Sequence, residues 1–162
     1  MRSSEKTVEC VTMNTEGEIE FLRAYKDFVY YFNMLERNIG YCLRFCSGKE
    51  GNQNPEKWHS ANFDAKVKKV IALAKKYGVY EAFTGWHREI KKCRHLRNIV
   101  SHGSWEWKWW LPKPIFFHAP EFEDGKGEFT VEEFQERLSH LRNVPDVFRA
   151  IRSRLESAIG ET

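Results

Sequence analysis

The chain has 162 residues, of which 41% are hydrophobic, 15% aromatic and 30% charged. That size suits one domain that needs neither disulfide nor metal to fold, since a chain of about 150 residues buries roughly 70% of the surface its unfolded form exposes. The composition excludes fibrous and wholly disordered chains, and no run of about 20 apolar residues exists to span a membrane. The formal net charge of +3 is too small to announce a nucleic-acid binder in bulk. Its distribution is uneven. Between Ala61 and Arg97 there are ten Lys/Arg against three acids, and between Pro114 and Glu136 seven acids against one Lys. A basic middle can attract a polyanion. It also suits an ordinary solvated helix face.

The start, Met1-Arg2-Ser3-Ser4-Glu5-Lys6, lacks the apolar centre of a signal peptide. Four cysteines, at 10, 42, 46 and 93, form no CxxC pair. Together these suggest a cytoplasmic protein with reduced, partly buried thiols. Residues 1–16 are polar and aperiodic and read as a loose tail of one 1–162 domain.

Leu22, Tyr25, Val29, Phe32, Ile39, Leu43 and Cys46 recur at spacings of three and four, which predicts a helix over about 17–47. Glu36 occupies the gap in that stripe, where an unpaired carboxylate is costly. A Gly/Asn/Pro/Ser loop over 48–60 carries Trp58 and His59, which can pack back on the bundle. A helix over 61–77 is capped by Asn62, with Phe63, Val67, Val70, Ala74 and Tyr77 as its stripe and Gly78 as its stop. The next helix, 79–102, has Phe83, Trp86, Ile90, Cys93, Leu96 or Arg97, and Val100. Beyond Gly103, Trp105, Trp107 and Trp109 alternate with charges at the two-residue period of a strand. A short β-hairpin or aromatic insertion is expected at about 105–129. Thr130-x-x-Glu133 is a capping box. It opens a last helix, which Pro145 should kink or split near Asn143. The expected fold is all-α, an up-and-down bundle of four to five helices.

The densest reactive cluster is Arg94-His95-Leu96-Arg97-Asn98-Ile99-Val100-Ser101-His102. A guanidinium neutralises a phosphate bidentately, and an imidazole titrating near pH 6.5 can take a proton from a 2′-OH or give one to a leaving 5′-oxygen. RNA supplies its own nucleophile, so the chemistry requires no metal or other cofactor. Asn98 could hold the imidazole or a phosphate oxygen. The plain alternative is that Arg and His complement the carboxyl end of a helix. Arg97 and His102 lie about 140° apart on an ideal helix. To meet at one phosphate, either the last turn loosens or two copies of the helix face each other.

Arg97-Asn98-x-x-x-His102-Gly103, late on a long helix of an all-helical chain, resembles the signature of the HEPN superfamily. The resemblance covers the bundle plan over about 17–160, with some ten specific residues. It implies a metal-independent endoribonuclease of a toxin–antitoxin or abortive-infection defence system. Arg97 and His102 would be the catalytic pair, supported by Asn98. It also implies a homodimer acting on RNA, and an antitoxin or other protein partner. Many HEPN-like domains are instead non-catalytic binding or dimerisation modules. One HEPN subgroup has a modified Tyr two residues after the His, but here that position is Ser104, so that regulation does not carry over. Lys91, Lys92, Arg94 and His95 are candidate RNA contacts or simply an exposed face. Glu36 is a candidate partner for Arg97, or one half of a structural ion pair. Cys42 and Cys46 with His59 or His95 could be drawn as a zinc site, but they read better as small core residues.

Overall fold

Apolar period and helix caps together delimit the elements. The computed structural model describes residues 15–102, 104–106, 115–117 and 128–161. Helix α1 spans Thr15–Lys49, α2 is the single turn Lys57–Ser60, α3 spans Phe63–Lys76, α4 Tyr80–His102 and α5 Val131–Gly160. Asn62 caps α3, its side-chain oxygen accepting from the Ala65 N–H at 2.8 Å. At α5, Thr130 and Glu133 exchange both bonds of the capping box, at 3.2 and 2.8 Å. Between α3 and α4 the chain reverses at Gly78, whose φ of 72° is the left-handed conformation that favours glycine. No helix among the described residues is long and apolar enough to cross a membrane.

One core joins the four long helices. From α1 it takes Ala24, Phe28, Phe32, Leu35, Ile39, Cys42, Leu43 and Cys46. That register corrects the expected one. Leu22, Tyr25 and Val29 lie on the outside, and Leu35 fills the core beside the gap at Glu36. The apolar residues of α1 lie on two faces, and periodicity alone does not say which face is covered. In the loop, α2 packs Trp58 back onto the bundle, where it is buried. Leu138, Leu141, Val144, Pro145 and Phe148 of α5 are all buried, and the helix runs unbroken through Pro145. The expected split at Asn143 does not occur. Proline removes one backbone donor, but burial of apolar residues on both sides of it holds the turns together.

The bundle is not up-and-down. Phe32 meets Phe63 at 4.7 Å between ring centroids, and further along both helices Glu50 pairs with Lys76. Helix α3 therefore runs in the same direction as α1. Phe28 meets Phe134 at 6.2 Å, and the far end of α1 at Cys42 lies near Arg152 and Glu156, so α5 also runs with α1. Helix α4 alone runs the other way, with Glu89 by His140 and Trp86 at 4.9 Å from Phe148. The reason is the connection 50–62. It travels back along α1 before α3 begins, whereas a short turn would have reversed the direction.

Across 105–129, where a short β-hairpin or aromatic insertion is expected, the described backbone carries three short strands, one more than a simple hairpin. Described backbone there forms β1 (Ser104–Glu106), β2 (Ile115–Phe117) and β3 (Glu128–Phe129), antiparallel in the order β1-β2-β3. Trp105 pairs with Phe116, and Phe116 with Phe129. Trp107 and Trp109 lie outside the described residues, as do residues 1–14 of the tail expected over 1–16, whose last two residues open α1.

Glu50 ties the carboxyl ends of α1 and α3. It accepts from Lys76 and from the Tyr77 hydroxyl at 2.9 Å, with Lys69 at 3.9 Å. The Lys76 hydrogen bond, and after it that of Tyr77, holds its carboxyl below the ordinary 4.5. Its contribution to stability is therefore complete above that value and is lost as pH falls through the lowered one. Thermal melts of Glu50→Gln should lie below wild type at pH 6 and converge on it in acid. The core makes a second prediction. Phe148→Ala should cost about 3–5 kcal/mol in chemical denaturation, and the adjacent, exposed Val147→Ala within about 0.5 kcal/mol.

Candidate functional site

Helix α4 is anchored by Phe83, Trp86, Ile90, Cys93 and Leu96, each no more than 2% exposed. Leu96 is the last fully buried residue of α4, Val100 packs half-buried against the core beyond it, and Arg97 sits half-buried beside Leu96. Asn98 and His95 are also half-buried. The helix keeps its α form through His102, the last described residue of α4. Residues 97 and 102 are therefore about 140° and roughly 7.5 Å of helix rise apart. Loosening of the last turn does not occur, so a single helix cannot readily turn both residues toward one phosphate. The side chain of His102 lies outside the described residues.

Of the half-buried arginines, Arg44 and Arg152 are paired with Glu56 and Glu156. Arg97 makes no ion pair or hydrogen bond among the described residues. A half-buried cation without a carboxylate is a place where an incoming anion gains energy. The bundle directions add to this. Arg94 pairs with Asp64 in the first turn of α3, at 3.0 Å. Counting from the Glu89–His140 contact, residue 98 of α4 lies level with residue 131 at the start of α5. The amino-terminal ends of α3 and α5 thus flank the carboxyl end of α4, and their partial positive charge is shared with Asp64, Glu132 and Glu133 in the same turns.

The four residues expected to contact RNA do not share one face. Lys91 and Arg94 border the groove between α3 and α4. Lys92 turns toward α5 and binds Glu89 at 3.0 Å, and Glu89 also holds His140 at 3.3 Å. The Lys92 bond keeps the Glu89 carboxyl below its usual range. His95 is half-buried between these faces.

Glu36 is not the partner of Arg97. It binds the Lys66 ammonium at 3.2 Å, and Lys66 also donates to the His59 carbonyl at 3.4 Å. Lys66 is only 4% exposed. The lysine-rich run on α3 looks uniformly solvated, and only the rotation of α3 against α1 buries this member. Cys42 and Cys46 lie 3.9 Å apart in the core, where burial and their mutual contact push the Cys42 thiol up. Burial pushes Cys93 up to about 12. Such thiols are poor nucleophiles and poor metal ligands at neutral pH. Among the described residues no three His, Cys, Asp or Glu side chains are grouped to hold a metal.

One further group has no counterpart in the sequence reading. His87 lines the α3–α4 groove, its Nδ1 3.1 Å from the Tyr80 hydroxyl. Burial, then the charges of Lys91 and Lys75, lower its pKa below 6.5. Its only sequence signal is the (i, i+7) spacing from Tyr80. In comparisons with known proteins, no family model, curated protein or solved structure matches the chain.

The Glu36–Lys66 pair makes its own prediction. Glu36→Ala leaves a buried ammonium with one carbonyl and should cost about 1–3 kcal/mol in denaturant midpoints. Lys66→Met keeps the buried stem and leaves only a half-exposed carboxylate, so it should fall within about 1 kcal/mol of wild type.

Proposed function

We propose that this chain is a HEPN-type, metal-independent endoribonuclease that acts as a two-fold dimer. Arg97 carries the reading: it is a half-buried guanidinium with no described partner, at an end of the bundle flanked by two helix amino termini. The unbroken α4 supports the dimer, because a second copy of the helix can bring His102 of one subunit toward Arg97 of the other. In this mechanism a His102 imidazole takes the 2′-OH proton as the 2′-oxygen bonds to phosphorus. The bond from phosphorus to the 5′-oxygen breaks, and the partner's imidazole, in its charged form, protonates that leaving oxygen. Arg97 meets the charge of the pentavalent phosphate, and Asn98 steadies an imidazole or a phosphate oxygen. Lys91, Arg94 and His95 attract the strand. The biological setting of such a cleavage is cytoplasmic defence, with an antitoxin or other protein restraining the enzyme.

A second reading, a non-catalytic dimerisation or binding module, is favoured by the outer face of α1. That face exposes Ile19, Leu22, Val29 and Tyr30, the last at 61%.

Cleavage of RNA in EDTA, leaving 2′,3′-cyclic phosphate and 5′-hydroxyl ends, and no cleavage of DNA, are the outcomes expected of the enzyme. Arg97→Ala and His102→Ala should each abolish cleavage with melting temperatures at or slightly above wild type, since like charges around the dimer axis repel in the absence of phosphate. Products with 5′-phosphate ends, or a monomer in sedimentation at tens of micromolar, would overturn this mechanism. Two intact preparations, wild type and His102→Ala, that are equally harmless to a host and equally inert on RNA would favour the module.

A further inference from the structure

A groove of about 390 Å³ lies between α3 and α4, apart from the residues assigned to cleavage except at its rim. Its floor is aliphatic, made by Val67, Ile71 and Ile90. Its rims carry Lys68 and Lys75 on α3 and Lys91 on α4, all exposed. These three lysines make no ion pair among the described residues, whereas the neighbouring Lys66, Lys69, Lys76 and Lys92 each have a carboxylate. Among the lysines of α3 and α4, the three without an ion pair thus line one apolar trough.

The groove is also bounded. The Arg94–Asp64 pair, at 3.0 Å, bridges α4 to α3 at the end nearer Arg97. At the other end Lys75 lies 5.0 Å over the Tyr80 ring, and Tyr80 reaches back to His87. Between those closures α3 advances from residue 64 to residue 75, about 16 Å or three helical turns. The volume accepts two or three aliphatic side chains, the number a helix presents at positions i, i+3 or i+4, and i+7.

We propose that this groove receives a short amphipathic helix of a partner protein, with aliphatic residues on one face and Asp or Glu on both flanks. The charge complementarity is direct. Lys68 and Lys75 are two turns apart on one rim, matching acids at i and i+7 on the guest, and Lys91 faces its other flank. A nucleic-acid strand fits less well. The floor has no open ring for bases to stack on, because Phe63 is 1% exposed and His87 is held by Tyr80. The proposal does not depend on cleavage activity.

The probe is a fluorescent synthetic helix of about 14 residues with leucine at i, i+3, i+7 and i+10 and glutamate on both flanks. Its partner in the assay is the full chain. Anisotropy should show saturable binding that weakens at least about tenfold for Lys68→Glu/Lys75→Glu, and likewise for Ala72→Trp, which fills the floor from an exposed position. All variants should melt with wild type. Equal binding of a lysine-flanked version of the peptide would overturn the proposal, as would unchanged affinity in Ala72→Trp. If a poly(U) strand binds, is lost with the double charge reversal and tolerates Ala72→Trp, the groove is a nucleic-acid surface instead. If Ala72→Trp converts a dimer to a monomer in sedimentation, a second copy of the chain is the occupant. RNA cleavage followed on the same preparations reads the catalytic proposal separately, and its failure leaves the peptide result standing.

Discussion

The buried row on α5 is the contact on which the rest of the molecule depends. Phe134 meets Phe28 of α1, and Phe148 meets Trp86 of α4 at 4.9 Å. One helix thereby joins the long first helix to the motif-bearing fourth. The row continues through Leu138, Leu141, Val144 and Leu155, all essentially inaccessible. This continuity explains why Pro145 does not break α5. Losing one backbone hydrogen bond costs far less than exposing the apolar row on either side of it. The packing tolerates some imperfection, since the indole N–H groups of Trp58 and Trp86 are buried without a hydrogen-bond partner among the described residues.

Direction follows from that packing, and the electrostatics of the α4 carboxyl end follow from direction. Because α4 runs against α3 and α5, the starts of α3 and α5 lie beside residues 94–98 of α4. An alternating bundle would place the same two starts there, because α4 runs against both of its chain neighbours in either plan, and only the direction of α1 differs. The two starts, which also carry Asp64, Glu132 and Glu133, lie next to an arginine with no described carboxylate. Charge is managed differently elsewhere. Glu50 collects Lys69 and Lys76, Glu89 collects Lys92 and His140, and Glu36 satisfies the buried Lys66. Within residues 61–97, the cations left over from these clusters are Arg97 at the end of α4 and Lys68, Lys75 and Lys91 along the α3–α4 groove. That is where the basic character of the middle of the chain becomes available to a partner.

The groove and the α4 end share a border, the Arg94–Asp64 bridge, but not a chemistry. The groove pairs aliphatic floor with lysine rims. The α4 end pairs a half-buried guanidinium with helix amino termini. A guest helix in the groove would lie within one turn of Arg97 along α4, close enough to affect what approaches the α4 end without touching it.

Much of this was legible in the sequence because it is local. Asn62 and Thr130-x-x-Glu133 mark helix starts through hydrogen bonds between neighbours, and Gly78 marks a reversal because its backbone must turn left-handed. The apolar period of α4 identifies all its fully buried core residues and sets Arg97 at the margin of the stripe, whereas that of α3 finds Phe63, Val70 and Ala74 but not Ile71 and Leu73. Glu36 was recognised as anomalous, but its partner was not, because Lys66 is 30 residues away and indistinguishable from its solvated neighbours by composition. The stripe of α1 names the covered face correctly from Phe32 to Cys46 but not over Leu22, Tyr25 and Val29, because there two apolar faces satisfy the same period and only packing against other helices chooses between them. Helix direction is likewise absent from local pattern, because a thirteen-residue connection can either reverse the chain or carry it back along its neighbour. Caps, turns and amphipathic stripes are written within a few residues of one another. The pairing of buried charges, the choice of face and the gathering of unpaired lysines around one groove exist only once distant helices are packed together.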